Sequence, residues 1–274
     1  MAHPPPTSSP RWPAWTVPAA LGVGVVTAFA GQALILIVLE LVGLHVDLAH
    51  PGPGINVALT AVLDVSLVGS VWVLAAVVVG PRPTLDQLGL RRVSLRRAVG
   101  PALVVAVAYF ALAAVYALLV SAPKERVPGI GATSPTASVL AFGLLVGVIA
   151  PVAEELFFRG FAFTALRGRL GTAGAAVASG VLFGVMHLGG RTDAVFVPAL
   201  ALFGVGLALL YARTGSLLPG IALHSLNNAF ALSVLVGWSW QAVPLALGFW
   251  LLLAAGLGLL TRPGSTEAAG GQPD

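Results

Sequence analysis

Long apolar runs, separated by short polar breaks, set the pattern of this chain. Val17–Leu39, Ala98–Pro123 and Val127–Ala153 contain no charged residue. Ile55–Gly80 is apolar apart from Asp64, and Ala194–Ala212 is free of charge. Leu170–Gly190 contains His187 and no formal charge, and in Thr214–Thr261 the one titratable group is His224. A membrane helix needs about 20 mostly apolar residues. The pattern therefore predicts an all-α, polytopic transmembrane helix bundle of about eight spans, near 17–43, 55–80, 98–120, 137–163, 174–189, 194–212, 216–236 and 242–261. The segments are apolar nearly all round, as expected of helices facing lipid or one another. They lack the alternation of a membrane β-barrel. Small residues recur, as in Gly22-Val-Gly24 and Gly204-Val-Gly206, and would admit close helix contact.

Composition narrows the classes. Only 9% of the residues are charged, against 58% hydrophobic. Soluble domains carry about 25% charged residues, so a cytosolic enzyme, a disordered chain and a nucleic-acid binder are excluded. With no cysteine, disulfides, zinc ribbons and thiol catalysis are excluded as well.

Charge placement gives an orientation. The 81–97 loop carries Arg82, Arg91, Arg92, Arg96 and Arg97, and Arg167 and Arg169 follow the fourth span. Arg11, Arg213 and Arg262 stand at three other ends. With eight spans, the positive-inside rule puts all of these, and both termini, on the cytoplasmic side. The opposite side receives Lys124, Arg126 and Arg191. The expected organisation is a disordered tail (1–15), N-terminal membrane helices (16–136), a core that carries most of the intramembrane ionisable groups (137–236), a last membrane helix (237–262) and a polar C-terminal tail (263–274). The first run is too long for a signal peptide and reads as a retained span.

Ionisable groups inside a span are costly, so each is a functional candidate. Glu40 and Asp64 are isolated. Glu40 lies near a span end and could reach the interface, and Asp64 lies deeper. The other five fall in three clusters. In Glu154-Glu155-Leu-Phe-Phe-Arg159, Glu155 and Arg159 are i,i+4 neighbours on one helix face, so Arg159 pairs with Glu155 and Glu154 points elsewhere. His187 follows Phe183 by four residues. Glu155 and His187 stand equally far from a turn near Gly171, so an antiparallel hairpin sets them at about one depth. His224 and Asn228 are again i,i+4, with Asn227 turned away. The bland reading of each cluster is an interfacial charge group or a helix–helix hydrogen bond. Together they supply a general base and polarising donors where water is scarce, which is the equipment of hydrolysis.

The ordered set Glu154-Glu155…Arg159, Phe183…His187 and His224…Asn228 resembles the EExxxR, FxxxH and HxxxN motifs of the CPBP family of intramembrane proteases. That family includes the type II CAAX prenyl (Rce1-like) proteases and bacteriocin-processing or immunity-associated proteins. The likeness covers roughly residues 137–235. It implies an endopeptidase in the plasma membrane of a bacterium, acting on a membrane-associated or prenylated-type peptide or protein at the lipid bilayer. It further implies that Glu154 activates water with His187, that His224 and Asn228 stabilise the oxyanion, and that Glu155 and Arg159 shape and charge the site. The family often carries a metalloprotease label, with zinc held by Glu154, His187 and His224. No HExxH zinc signature occurs, and such a set holds zinc only where the helices converge. A proton- or ion-coupled transporter and a non-catalytic immunity or scaffold protein are the alternatives.

Overall fold

The computed structural model describes residues 12–48, 51–79, 83–120, 127, 130–188, 193–237 and 248. Eight α-helices appear in chain order among them: α1 (Thr16–Leu41), α2 (Pro53–Leu74), α3 (Leu95–Leu119), α4 (Thr136–Leu144), α5 (Ala150–Glu155), α6 (Thr164–Val185), α7 (Val197–Thr214) and α8 (Leu218–Leu235). No strand occurs among the described residues, apart from an isolated bridge between Val127 and Ile130. The all-α bundle expected from the apolar runs is what forms.

Six helical stretches are long and apolar enough to cross a bilayer. One of them, Thr136–Val185, is 50 residues long and does not run straight. At Gly171 the backbone turns (φ 68, ψ 178), a conformation open to glycine. Beyond it the chain folds back: Ser179 Oγ donates to Phe158 O (2.8 Å), and the Phe158 and Phe183 rings meet edge to face at 5.2 Å. The expected antiparallel hairpin is therefore present, with its turn at Gly171. Its second leg is shorter than the expected 174–189, ending at Val185. The eighth expected span, 242–261, lies outside the described residues.

Helix ends follow local chemistry. Gly52 and Pro53 open α2, with proline at a position whose N–H would be unused. Gly215 closes α7 in the left-handed region, its N–H bonded to Tyr211 O at 2.8 Å. The leg from Thr136 to Phe163 is less regular. Two π-helical segments, Leu145–Ile149 and Leu156–Phe163, flank α5. Such segments often occur at functional sites.

Packing depends on small residues where helices cross. A Cβ on Gly180 would stand 2.6 Å from Val205 N, and one on Gly204 would stand 2.7 Å from Gly180 Cα. Glycine thus lets α6 and α7 meet backbone to backbone. Gly24 meets Leu67 of α2 in the same way, and Gly206 meets Val105 of α3, whereas Gly22 has nothing nearby. Outward faces are apolar. On α3, Val104, Val107 and Leu118 are exposed and Ala98 alone is buried, as suits a helix against lipid.

One end of the bundle differs from its sequence reading. The Arg-bearing 81–97 segment reads as a polar loop, yet Leu88 and Leu90 are buried. Leu217 N–H donates to Gly89 O (2.8 Å), and Ser216 Oγ donates to Arg91 O (2.5 Å). Leu88 O lies so close to Gly160 that a Cβ there would approach it to 2.5 Å. Trp12, which the sequence assigns to the N-terminal tail, is buried, its ring 5.1 Å from Phe161. Buried apolar side chains in both segments explain the tuck: Leu88, Leu90 and Trp12 all join the main core cluster.

Candidate active site

Glu154 and Glu155 close α5, the short α-helical piece between the two π segments. Arg159 stands four residues on. Its Nη1 donates to Glu155 Oε1 at 2.7 Å, and both side chains are completely buried. Arg159 Nη2 also donates to Gly204 O of α7 (3.3 Å). The guanidinium lies over the Phe183 ring at 4.6 Å and near Phe158 at 5.8 Å. A buried charge needs such company: an opposite charge, a carbonyl and aromatic faces.

His224 of α8 faces both carboxylates. Its Nδ1 lies 3.2 Å from Glu155 Oε1 and its Nε2 lies 3.5 Å from Glu154 Oε2. The ring is only 2% exposed and is walled by Phe183 (5.5 Å) and Phe203 (5.6 Å). The two acids differ in environment. Glu155 is shut away and tied to Arg159. Glu154 keeps 15% of its side chain exposed, and its Oε2 makes no hydrogen bond among the described residues. The division expected from the helical spacing, one acid held and one free, is the one observed.

His187 lies past the end of α6, in a turn where its N–H bonds Gly184 O. The imidazole packs on Phe183 at 4.7 Å, and its Nδ1 is 2.8 Å from Phe183 O. A carbonyl only accepts, so Nδ1 carries the proton and Nε2 presents a lone pair. His187 is exposed and makes no ion pair with Glu154 among the described residues. Phe183 thus touches all three clusters, a hub that spacing alone did not reveal.

Asn228 is engaged with backbone. Its Nδ2 donates to Val146 O (2.8 Å), and Asn227 Nδ2 reaches Asn228 Oδ1 at 3.4 Å. Asn227 does not simply turn away from its neighbour. Asp64 of α2 is buried, with Oδ2 unpartnered and within electrostatic reach of Glu154. Glu40 is exposed at the end of α1 and pairs with His45 Nδ1 at 2.7 Å, outside this site.

Two further residues touch the site. A Cβ on Gly220 would lie 3.0 Å from Glu155 Oε2, so α8 approaches that carboxylate through its glycine. Ser225 is buried and donates to Gly147 O. The available signals were the position of Ser225 next to His224 and of Pro151 three residues before Glu154.

A zinc ion held by Glu154, His187 and His224 would need the three side chains to converge. Among the described residues no three His, Asp or Glu side chains are gathered as a metal-binding group. This arrangement does not fit the metal, and no step below passes through one.

Residues 136–230 match the family model of the type II CAAX prenyl endopeptidases, Rce1-like. The similarity to this family is confined to that segment. The match runs from the start of α4 into α8 and takes in Glu154, Glu155, Arg159, His187, His224 and Asn228. No curated protein and no solved structure matches the chain. The Rce1-like family is a family of proteases, and this chain is a multi-pass membrane protein with its motif residues in or beside the apolar helices.

Proposed function

We propose that this Rce1-like protein is an intramembrane endopeptidase that hydrolyses a peptide bond in a membrane-associated or prenylated-type substrate, with Glu154 as the base. One observation carries the reading. Of two adjacent buried-helix carboxylates, Glu155 is immobilised by Arg159, while Glu154 has an unbonded oxygen and residual exposure beside His224.

Glu154 takes a proton from a water molecule while the water oxygen attacks the scissile carbonyl carbon. His187 Nε2 accepts the other hydrogen of that water and orients it. The carbonyl π pair moves onto oxygen and gives a tetrahedral oxyanion. Both His224 nitrogens face carboxylate oxygens, which only accept, so the arrangement is satisfied with a proton on each. The His224 Nε2–H, 3.5 Å from Glu154 Oε2 and not hydrogen-bonded to it, donates to the oxyanion. The second Nδ2 hydrogen of Asn228 donates to the same oxygen. On collapse the C–N bond breaks, and the proton on Glu154 passes to the leaving amine, which restores the carboxylate.

The test is cleavage of a prenylated CAAX-type peptide by the purified protein in detergent. Wild type should cleave with and without chelator, and Glu154→Gln should not, because an amide does not accept the proton. A Glu154→Gln protein that still turns over sinks the assignment of the base. Loss of activity on chelation overturns the metal-free mechanism.

A further inference from the structure

Pro151 stands second in α5 and has no N–H to give. The turn before it is π-helical, and Ala150 N–H bonds Leu145 O. Val146 O therefore loses both its possible donors, Ala150 and Pro151. Gly147 O loses its α-helical donor, Pro151. Inside a membrane such carbonyls need partners, and α8 supplies them: Asn228 Nδ2 to Val146 O and Ser225 Oγ to Gly147 O.

Like Ser179, which bonds Phe158 O, Ser225 does not spend its hydroxyl on its own helix. Ser and Thr within helices can bond the carbonyl one turn back. Thr27 does so to Val23 O, Thr214 to Leu210 O and Ser233, on α8 itself, to Ala229 O. Ser225 instead crosses to another helix, at 1% exposure. It is also bonded in chain to His224, whose ring contacts Glu154 and Glu155. One turn of α8 thus grips the acid-bearing helix at two levels, the ring at its C-terminal end and the hydroxyl ahead of Pro151.

We propose that Ser225 is a positioning residue of the hydrolytic site. Its hydroxyl takes up the carbonyl released by Pro151 and so fixes the spacing between Glu154 and the His224 ring. The proposal rests on the endopeptidase reading, and its test separates the two.

Kinetics on a prenylated CAAX-type peptide are measured for the full chain in detergent. Small displacements of a reacting group cost up to about 100-fold in rate. Ser225→Ala should lower kcat by about 10- to 100-fold with KM unchanged. Ser225→Thr, which keeps the hydroxyl, should recover most of it. Ser233→Ala, equally buried but bonded within its own helix, should match wild type. Pro151→Ala returns an N–H to the turn, so it should soften the effect of Ser225→Ala in the double variant. A Ser225→Ala kcat within twofold of wild type, a Thr variant no better than Ala, or strictly multiplicative effects with Pro151→Ala each overturn the proposal. The nitrogen resonances of the His224 ring, read in histidine-labelled protein, need no turnover. They should move in Ser225→Ala and stay in Ser233→Ala. If wild type cleaves no peptide, the endopeptidase reading fails, and unmoved His224 signals then overturn the role of Ser225 independently.

Discussion

Arg159 and Glu155 form a fully buried ion pair, Nη1 to Oε1 at 2.7 Å, one helical turn apart. Glu155 is thereby fixed beside His224 and unlike its neighbour Glu154. Removing one partner of a buried pair leaves the other charged and unsolvated, a loss of about 3–5 kcal/mol. Arg159→Met should therefore lower the midpoint of thermal unfolding in detergent by a large margin. The double variant Arg159→Met/Glu155→Gln should be less damaged than the single one, because no lone charge remains. A double variant worse than Arg159→Met would show that the guanidinium serves mainly through Gly204 O and Phe183.

Gly220 tests how tightly that carboxylate is held. An added Cβ would sit 3.0 Å from Glu155 Oε2, and Glu155 has little room to retreat between Arg159 and His224. Overpacking of this kind costs about 1–3 kcal/mol. Gly220→Ala should thus lower both the unfolding midpoint and peptide turnover. Gly22→Ala, in a helix with nothing within 4 Å, should be neutral or mildly stabilising, since alanine favours helix over glycine by about 1 kcal/mol. Equal behaviour of the two variants would mean that Glu155 moves freely.

The two asparagines of α8 separate a donor from its neighbour. Asn228 holds Val146 O and has a second hydrogen for the oxyanion, whereas Asn227 makes a long 3.4 Å contact to Asn228 Oδ1. Loss of one oxyanion donor costs about 10²–10³ in kcat. Asn228→Ala should fall in that range with KM little changed, and Asn227→Ala should fall far less. An Asn228→Ala defect confined to KM would place the amide on substrate binding instead.

Much of this site could be read from the chain because its key relation is local. Glu155 and Arg159 are four residues apart, a spacing that sets them on one face in an α or a π turn, and the hairpin at Gly171 follows from two apolar runs of matched length. His224 between the two acids was not legible, because nothing in the spacing says how far α8 rises along α5. The π segments were hidden for a similar reason. Apolar periodicity is flat in a helix buried on all sides, so a change from 3.6 residues per turn leaves no mark in the pattern. Pro151 was the visible clue, and its consequence appears only when Ser225 and Asn228 come across from α8. The tuck of Leu88 and Leu90 was masked by the surrounding arginines. Charge set the reading of that loop, while two leucines decided where it packs.

Orientation is the last expectation, and the fold strengthens its basis. The segments that carry Arg91, Arg167 and Arg213 gather at one end of the bundle. Ser216 Oγ bonds Arg91 O, Arg167 lies over Phe163, and Phe163 meets Tyr211, two residues before Arg213. Arg92, Arg96 and Arg97 adjoin the same segment. By the positive-inside rule, basic residues clustered at one end of the helices predict that this end faces the cytoplasm. The chain has no cysteine, so one introduced thiol reports a single position. Ser94, exposed just before α3, is the site of choice. Ser94→Cys should resist a membrane-impermeant maleimide in intact cells and react once the cells are opened. Labelling in intact cells would invert the bundle.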